Sequence, residues 1–226
     1  MKYQTEKKLM CEIGKRVWTQ GWVAANDGNF TIKLADNLFL ATPTGTSKGF
    51  LTPDMILLVN DKCEKLEDNK WNPSSELPMH MRCYKEREDI GSVVHAHPPI
   101  TTAFAVAHIP LDEYTMPEAI LTVGSAPIAP YGCPSTDEIP DAVAPFLQEH
   151  DCIILENHGA LTVGADLMTA YYRMETLEFF AKLTMNTMQL GRSFELPKDK
   201  LDELMKLREK MKISGHHPGI KKYPHN

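Results

Sequence analysis

The sequence predicts an α/β fold built on a mostly antiparallel sheet. Three observations predict it. Apolar runs of strand length, such as 92–97 and 152–156, alternate with longer segments whose apolar residues recur at helical spacing. Two pairs of runs are separated by little more than turn residues, which marks hairpins within 22–42 and 152–163. The chain has 226 residues, enough for one sizeable core, and no internal repeat divides it into an array.

Taken in order, residues 3–20 place Leu9, Ile13 and Val17 on one face of a helix that Gly21 ends. Asn26-Asp27-Gly28-Asn29 is a dense turn signal. Residues 30–34 alternate as a strand, and 38–42 form its hairpin partner. Thr42 to Gly49 is a polar loop punctuated by glycine. Thr52-Pro53-Asp54 opens a helical turn, and 56–60 is a short strand. Ser74-Ser75-Glu76-Leu77-Pro78 starts a helix that runs to Glu88. Pro78 falls in its first turn, where a missing N–H costs little. Residues 92–97 are a strand that Pro98-Pro99 interrupts, and 101–108 are helical and rich in Ala. Strand-like pieces are expected over 119–129, closed by Pro130-Tyr131-Gly132. Residues 136–150 read as a helix with Pro140 near its start and Pro145 as a kink. Residues 152–156 and 160–163 form a hairpin around Asn157-His158-Gly159. Residues 165–190 are one long helix with Leu167, Ala170, Met174, Leu177 and Ala181 on its core face. Residues 197–213 form a charged helix, and 214–226 are irregular. On this reading the His-bearing strands lie near the centre of the sheet, with helices on its faces.

A net charge of −6 with no compensating basic block argues against a nucleic-acid or anionic-membrane partner. It leaves room for an anionic small substrate, because a phosphate pocket is local. The cysteines at 11, 63, 83, 133 and 152 are odd in number and form no C-x-x-C. They read as reduced thiols of a cytoplasmic protein. The first seventeen residues interleave Lys and Glu, so no secretory signal is expected, and no stretch is long enough to span a bilayer.

Residues i and i+2 of a strand share a face, so His95 and His97 can offer two nitrogens to one ion. His158 ends another run, and Pro98 and Gly159 stop both strands directly after the histidines, at a sheet rim. A third imidazole there completes a three-nitrogen site with open positions, as a catalytic Zn²⁺ needs. The bland alternative is a strand whose polar face happens to carry histidines; three imidazoles at two strand ends weigh against it. Glu76 reads either as an acid favoured by the helix dipole or as a proton shuttle beside the metal, ligating it when substrate is absent. Gly28-Asn29, Thr44-Gly45 and Ser74-Ser75 can bind phosphate through open backbone, hydroxyls, an amide and a helix N-terminus. Turns are rich in these residues anyway. Lys48 is expected as an exposed loop lysine. Tyr114 and Tyr131 are expected as packing residues with bonded hydroxyls. His80, at helical spacing from Tyr84, reads as structural, and His216-His217 as part of a solvated tail.

Six segments, in this order within about residues 5–190, resemble the class II aldolase/adducin-head family, and within it the L-fuculose-1-phosphate aldolase group. They are Asp27-Gly28-Asn29-Phe30-Thr31, Thr42-Pro43-Thr44-Gly45, Ser74-Ser75-Glu76-Leu77-Pro78-Met79-His80, His95-Ala96-His97-Pro98, Ala129-Pro130-Tyr131 and Asn157-His158-Gly159. The resemblance implies a three-layer α/β/α fold around a central, mainly antiparallel sheet. It implies a catalytic domain over 1–195, with 196–226 a C-terminal helix and tail of the same domain. It implies a C4 homotetramer with sites at subunit interfaces and one Zn²⁺, or another divalent transition metal, per subunit on His95, His97 and His158. Glu76 would match the catalytic carboxylate, and Asn29, Thr44, Gly45, Ser74 and Ser75 the phosphate cup. Tyr114, four residues after Pro110, would match a tyrosine donated across the interface, and Tyr223 is the tail candidate for a second. The implied reaction is reversible aldol cleavage of a ketose 1-phosphate, such as L-fuculose 1-phosphate. Its products would be dihydroxyacetone phosphate and an aldehyde such as lactaldehyde. The same fold hosts a sugar-phosphate 4-epimerase, with Asp where Glu76 stands, a dehydratase, a decarboxylase and a non-catalytic adducin-like module. Glu76 in place of Asp ranks the epimerase lower, the intact three-His set with Glu76 speaks against the adducin-like module, and the dehydratase of methylthioribulose 1-phosphate and the decarboxylase of phosphorylated oxo-acids stand as alternatives.

Overall fold

A computed structural model describes residues 2–224. Residue 1 of the expected domain and residues 225 and 226 of the expected tail lie outside the described residues. Seven strands and seven α-helices follow one another as α1 (Gln4–Thr19), β1 (Asn29–Ala35), β2 (Leu38–Ala41), β3 (Leu57–Val59), α2 (Leu77–Glu86), β4 (Ser92–Ala96) and α3 (Pro99–Ala107). Then come α4 (Pro117–Thr122), β5 (Ile128–Ala129), α5 (Glu138–Leu147), β6 (Cys152–Leu155), β7 (Gly159–Gly164), α6 (Leu167–Leu190) and α7 (Lys198–Met211). The strands form one sheet in the order β3-β2-β1-β4-β7-β6-β5. Every pair in it is antiparallel except β5–β6.

The expected α/β architecture with a mainly antiparallel sheet is what the chain adopts. Both hairpins form, β1–β2 with Thr31 opposite Ala41 and β6–β7 with Leu155 opposite Gly159. The His-bearing strand β4 is the central strand of the seven. All five of its residues are buried, because helices cover both faces. Its side chains alternate between two cores: Val94 and Ala96 join α1, α3 and α6 on one side, and Val93 joins α2 and α5 on the other.

Several elements differ from expectation. Over 119–129 the structure has helix α4 and then a two-residue strand. Pro117 in the first turn presets a helical φ, and the short apolar run Ala119-Ile120-Leu121 carries no period long enough to tell helix from strand. Thr52-Pro53-Asp54 makes a single turn, closed by Met55 N–H to the Thr52 carbonyl at 2.9 Å. The helical turn lies earlier, a 3₁₀ turn at Lys48–Phe50.

The tail is docked rather than solvated. Asp151, itself buried, pairs with Arg87 and Arg173 at 2.7 Å each. Arg173 and Arg208 both donate to the Ser214 carbonyl, at 2.6 and 3.4 Å. His217 bonds the Ile120 carbonyl at 2.6 Å, and Tyr223 N–H donates to Asp112 at 2.7 Å. The tail follows this course because the end of α4 and the buried arginines present backbone and guanidinium partners that sequence alone does not reveal. Among the described residues no helix is long and apolar enough to cross a membrane.

Candidate metal centre

Strand register builds the site. Asn29 opens β1 directly opposite His95, and β7 lies beside β4 with Ala160 opposite Ala96. His97 follows the end of β4, its N–H held by the Trp22 carbonyl at 2.9 Å. His158 occupies the turn between β6 and β7. Gly159, next to it, has no room for a side chain: a Cβ would stand 2.6 Å from both the Ala96 carbonyl oxygen and His97 Cδ2.

The three imidazoles converge. Their ligand nitrogens all lie within 4.8 Å of one another. The Ala160 carbonyl, which can only accept, bonds His95 Nδ1 at 2.9 Å, so that nitrogen carries the proton and Nε2 keeps its lone pair. His97 turns Nδ1 toward Asp27, 3.5 Å away, and brings its Nε2 within 3.1 Å of His95 Nε2. With the His97 proton on the side of Asp27, both Nε2 atoms present lone pairs to one point, and a cation there relieves their repulsion. Tetrahedral ligands at about 2.0–2.1 Å from Zn²⁺ stand roughly 3.3 Å apart, so the spacing fits a bound ion. Burial pushes the pKa of His95 down to about 3 and that of His97 down as well, which keeps both rings in the neutral form that ligates.

Glu76 is the residue just before α2, and its carboxylate makes no capping bond to that helix. It points instead at the histidines, with Oε1 3.2 Å from His158 Nε2 and Oε2 3.5 Å from His95 Nε2. Burial raises its pKa, but the two imidazoles and the Asn29 amide outweigh this and hold it well below the usual carboxylate range. Asn29 Nδ2 donates to Glu76 Oε2 at 2.7 Å and to Ser74 Oγ at 3.3 Å.

Asn29, Thr44, Ser74, Ser75, Glu76, His97 and His158 line one cleft of about 220 Å³. Thr44 N–H bonds the Asn72 carbonyl at 2.9 Å, which ties the Thr44-Gly45 loop to the segment before Ser74. His95 lies beneath the cleft, fully buried. Larger hollows of about 530 and 410 Å³ lie elsewhere, but among the described residues only the three histidines form a metal-ligand cluster.

Lys48 also lines this cleft and is 1% exposed, contrary to the expected solvated loop lysine. The 3₁₀ turn folds it inward, where Nζ donates to the carbonyls of Asn26 at 2.8 Å and Thr46 at 2.9 Å. Burial lowers its pKa to about 8 against the pull of Asp27 and Glu76. Sequence reasoning placed His80 in the structure but not in the site, and it gave Asp27 no part in orienting His97. The signal for Asp27 was its place in the Asp-Gly-Asn turn; nothing local marked its histidine partner.

Three of the expected residues do not line this chain's own cleft: Gly45, beside Thr44, and two tyrosines, of which Tyr114 is expected to serve a neighbouring subunit. Tyr114 is buried in a small cluster with Ile120 and Leu201, and its hydroxyl bonds the Lys221 backbone, donating to the carbonyl at 2.7 Å. Tyr223 bonds His150 Nε2 through its hydroxyl at 2.7 Å. Tyr131 is exposed, with its N–H on Glu156 at 2.8 Å.

Three imidazoles and a carboxylate at the rim of an antiparallel α/β sheet define a candidate centre for metal-assisted chemistry on a small polar substrate. The chain belongs to the class II aldolase and adducin N-terminal domain family, whose model matches residues 8–185. It is 31% identical to the L-fuculose phosphate aldolase of Methanocaldococcus jannaschii, over 80% of this chain and 96% of that protein. It is 29% identical to the 3-oxo-tetronate 4-phosphate decarboxylase of Haemophilus influenzae, over 79% of this chain and 86% of that protein. The crystal structure of YgbL from Klebsiella pneumoniae, described as a putative aldolase/epimerase/decarboxylase, matches with a TM-score of 0.82. That match has 27% identity and covers 90% of this chain and 99% of that one.

Proposed function

We propose that the chain is a divalent-metal-dependent aldehyde-lyase. It cleaves a ketose 1-phosphate, of the L-fuculose 1-phosphate kind, reversibly to dihydroxyacetone phosphate and an aldehyde such as lactaldehyde. The observation that carries this reading is the convergence of His95, His97, His158 and Glu76 within reach of one cleft. Zn²⁺ is the proposed ion, although imidazoles accept several first-row metals. Held by the three histidines, it would supply the Lewis acidity that polarises a carbonyl and stabilises negative charge.

The chain's own residues supply the rest. Asn29, Thr44, Gly45, Ser74 and Ser75 receive the phosphate through hydroxyls, an amide and open backbone, which suits a dianion without a buried arginine. Glu76 returns a proton to C3 of the three-carbon half in cleavage and removes it in synthesis. No lysine Schiff base is required. For Tyr114 to serve a neighbouring subunit, the Lys221 backbone must first release its hydroxyl. Residues 196–224 belong to the same domain on this reading, since Leu201 of α7 packs on Tyr114 and Ile120. A homotetramer is supported by exposed aromatics on α1 and α6, among them Trp18, Tyr172 and Phe179. Five free cysteines fit a cytoplasmic setting.

The test is a product analysis of the metal-loaded protein on ketose 1-phosphates, and in reverse on dihydroxyacetone phosphate with varied aldehydes. A three-carbon phosphate plus an aldehyde is expected, and an intact carbon skeleton overturns the reading. A decarboxylase is the second reading, favoured by the Haemophilus influenzae relative, matched over 86% of its length. Release of CO₂ from a 3-oxo sugar-acid phosphate would select it.

A further inference from the structure

His80 touches neither the cleft nor an imidazole ligand, yet it is fully buried on the inner side of α2. Its Nε2 is 2.6 Å from Asn29 Oδ1, and its Nδ1 is 2.9 Å from Thr31 Oγ1. Thr31 Oγ1 is in turn 2.7 Å from the Tyr84 hydroxyl. With Asn29 on Glu76, these bonds make one unbroken polar chain from a buried tyrosine to the carboxylate.

The direction of every bond in that chain follows from its last member. An ionised carboxylate only accepts, so Asn29 must present Nδ2–H to Glu76. Its Oδ1 then faces His80 and can only accept, so His80 Nε2 carries a proton. A neutral imidazole has one N–H, which leaves Nδ1 as an acceptor. Thr31 gives its single hydroxyl proton to that nitrogen, and Tyr84 therefore donates to Thr31. Reversing the Asn29 amide would set its oxygen against the Glu76 carboxylate and leave His80 Nε2–H facing an N–H₂ group. Burial of His80, which pushes its pKa down to about 4, agrees with the neutral ring the chain demands.

We propose that His80 is a positioning residue: as the Nε2–H tautomer it locks the Asn29 amide, whose Nδ2–H holds Glu76 Oε2 and so fixes the orientation of the carboxylate in the cleft. This rests on the acid–base role of Glu76 given above. In the synthetic direction the substrate C–H bond breaks, an O–H bond forms on the Glu76 carboxylate, and the electron pair stays on the substrate carbon. In cleavage the same proton leaves the carboxyl group for carbon. The second N–H of Asn29 reaches Ser74 Oγ at 3.3 Å. The locked amide therefore also sets the distance between the phosphate-binding serine and the acid. An amide free to rotate would offer Oδ1 to either neighbour and disorder both.

Two measurements on the metal-loaded protein test this. In ¹⁵N-histidine NMR, with the His80 signal assigned by its loss in His80→Gln, the proton is expected on Nε2 and Nδ1 is expected bare. A proton on Nδ1, or on both nitrogens at neutral pH, overturns the proposal and needs no variant to fold differently. In kinetics, His80→Leu is expected to lose on the order of tenfold to a hundredfold in kcat, the range for removing a residue that orients an active group. His80→Gln, which keeps an N–H donor near the Nε2 position, should restore most of it. Equal losses in both variants would overturn the positioning role. Absence of any aldol turnover in the parent protein would instead refute the proposed function and leave the tautomer result standing.

Discussion

Glu76 is available for chemistry because its helix does not use it. A carboxylate just before a helix ordinarily accepts from the first free N–H groups, but here α2 makes no such bond and the side chain turns to Asn29 and the histidines. Glu76→Gln keeps the size and an oxygen for the Asn29 N–H but removes the proton acceptor. It should bind metal as the parent does and lose on the order of 10²–10⁴ in aldol turnover, the range for a general acid–base group. Near-parental turnover with full metal content, read by elemental analysis beside a steady-state assay, would remove Glu76 from the mechanism. The residues of the candidate metal centre were legible because each stands at or beside the end of a strand or the start of a helix, near Pro98, Gly159 or Pro78. His80 and Lys48 were not. The partners that define His80 are 49 and 51 residues away, and nothing in the neighbouring sequence marks that contact. Lys48 sits in a loop whose inward fold depends on carbonyls at Asn26 and Thr46.

The turn from β6 to β7 is the element that decides whether the third imidazole arrives. Its hairpin was legible, because Asn157-His158-Gly159 interrupts two apolar runs, and Asn157 indeed takes a positive φ of 55° there. The segment after Pro117 was not, since six residues carry less than two helical turns of pattern and apolar residues suit either state. Gly159 is where the β6–β7 turn and β4 approach most closely. Gly159→Ala would drive a methyl against the Ala96 carbonyl and the edge of His97. Backbone cannot yield as a flexible side chain does, so a cost of roughly 1–3 kcal/mol is expected, the usual range for overpacking. The displacement falls on a proposed ligand, so metal should also be retained less tightly than in the parent. Urea midpoints and competition with a chromogenic chelator measure the two effects. A variant with parental values in both would show that the turn has slack the structure does not display.

At the scale of the whole molecule, the buried polar groups tie the halves of the fold together and make its stability depend on pH. His80 joins α2 to β1, and His150 joins the end of α5 to the tail through Tyr223. Burial is the main cause that pushes both pKa values down to about 4. An unfolded histidine titrates near 6.5. Between these values the unfolded chain binds more protons than the folded one, so folding free energy is lost as pH falls from about 6.5 toward 4. For fully buried His80 alone the loss is on the order of 3 kcal/mol across the window, at roughly 1.4 kcal/mol per pKa unit. Carboxylates do not account for a decline in the upper part of this range: Glu76, Asp89 and Glu149 are all held below their ordinary values and release stability only at lower pH. The urea midpoint should therefore drop between pH 7 and pH 5. His80→Gln, which cannot titrate, should flatten part of that slope, while His150 and the other histidines that burial pushes down, His95, His97 and His217, retain the remainder. A midpoint constant over the interval would mean that none of these imidazoles is held neutral by the fold. The same data would then remove the physical basis for the directed chain of hydrogen bonds that ends on Glu76.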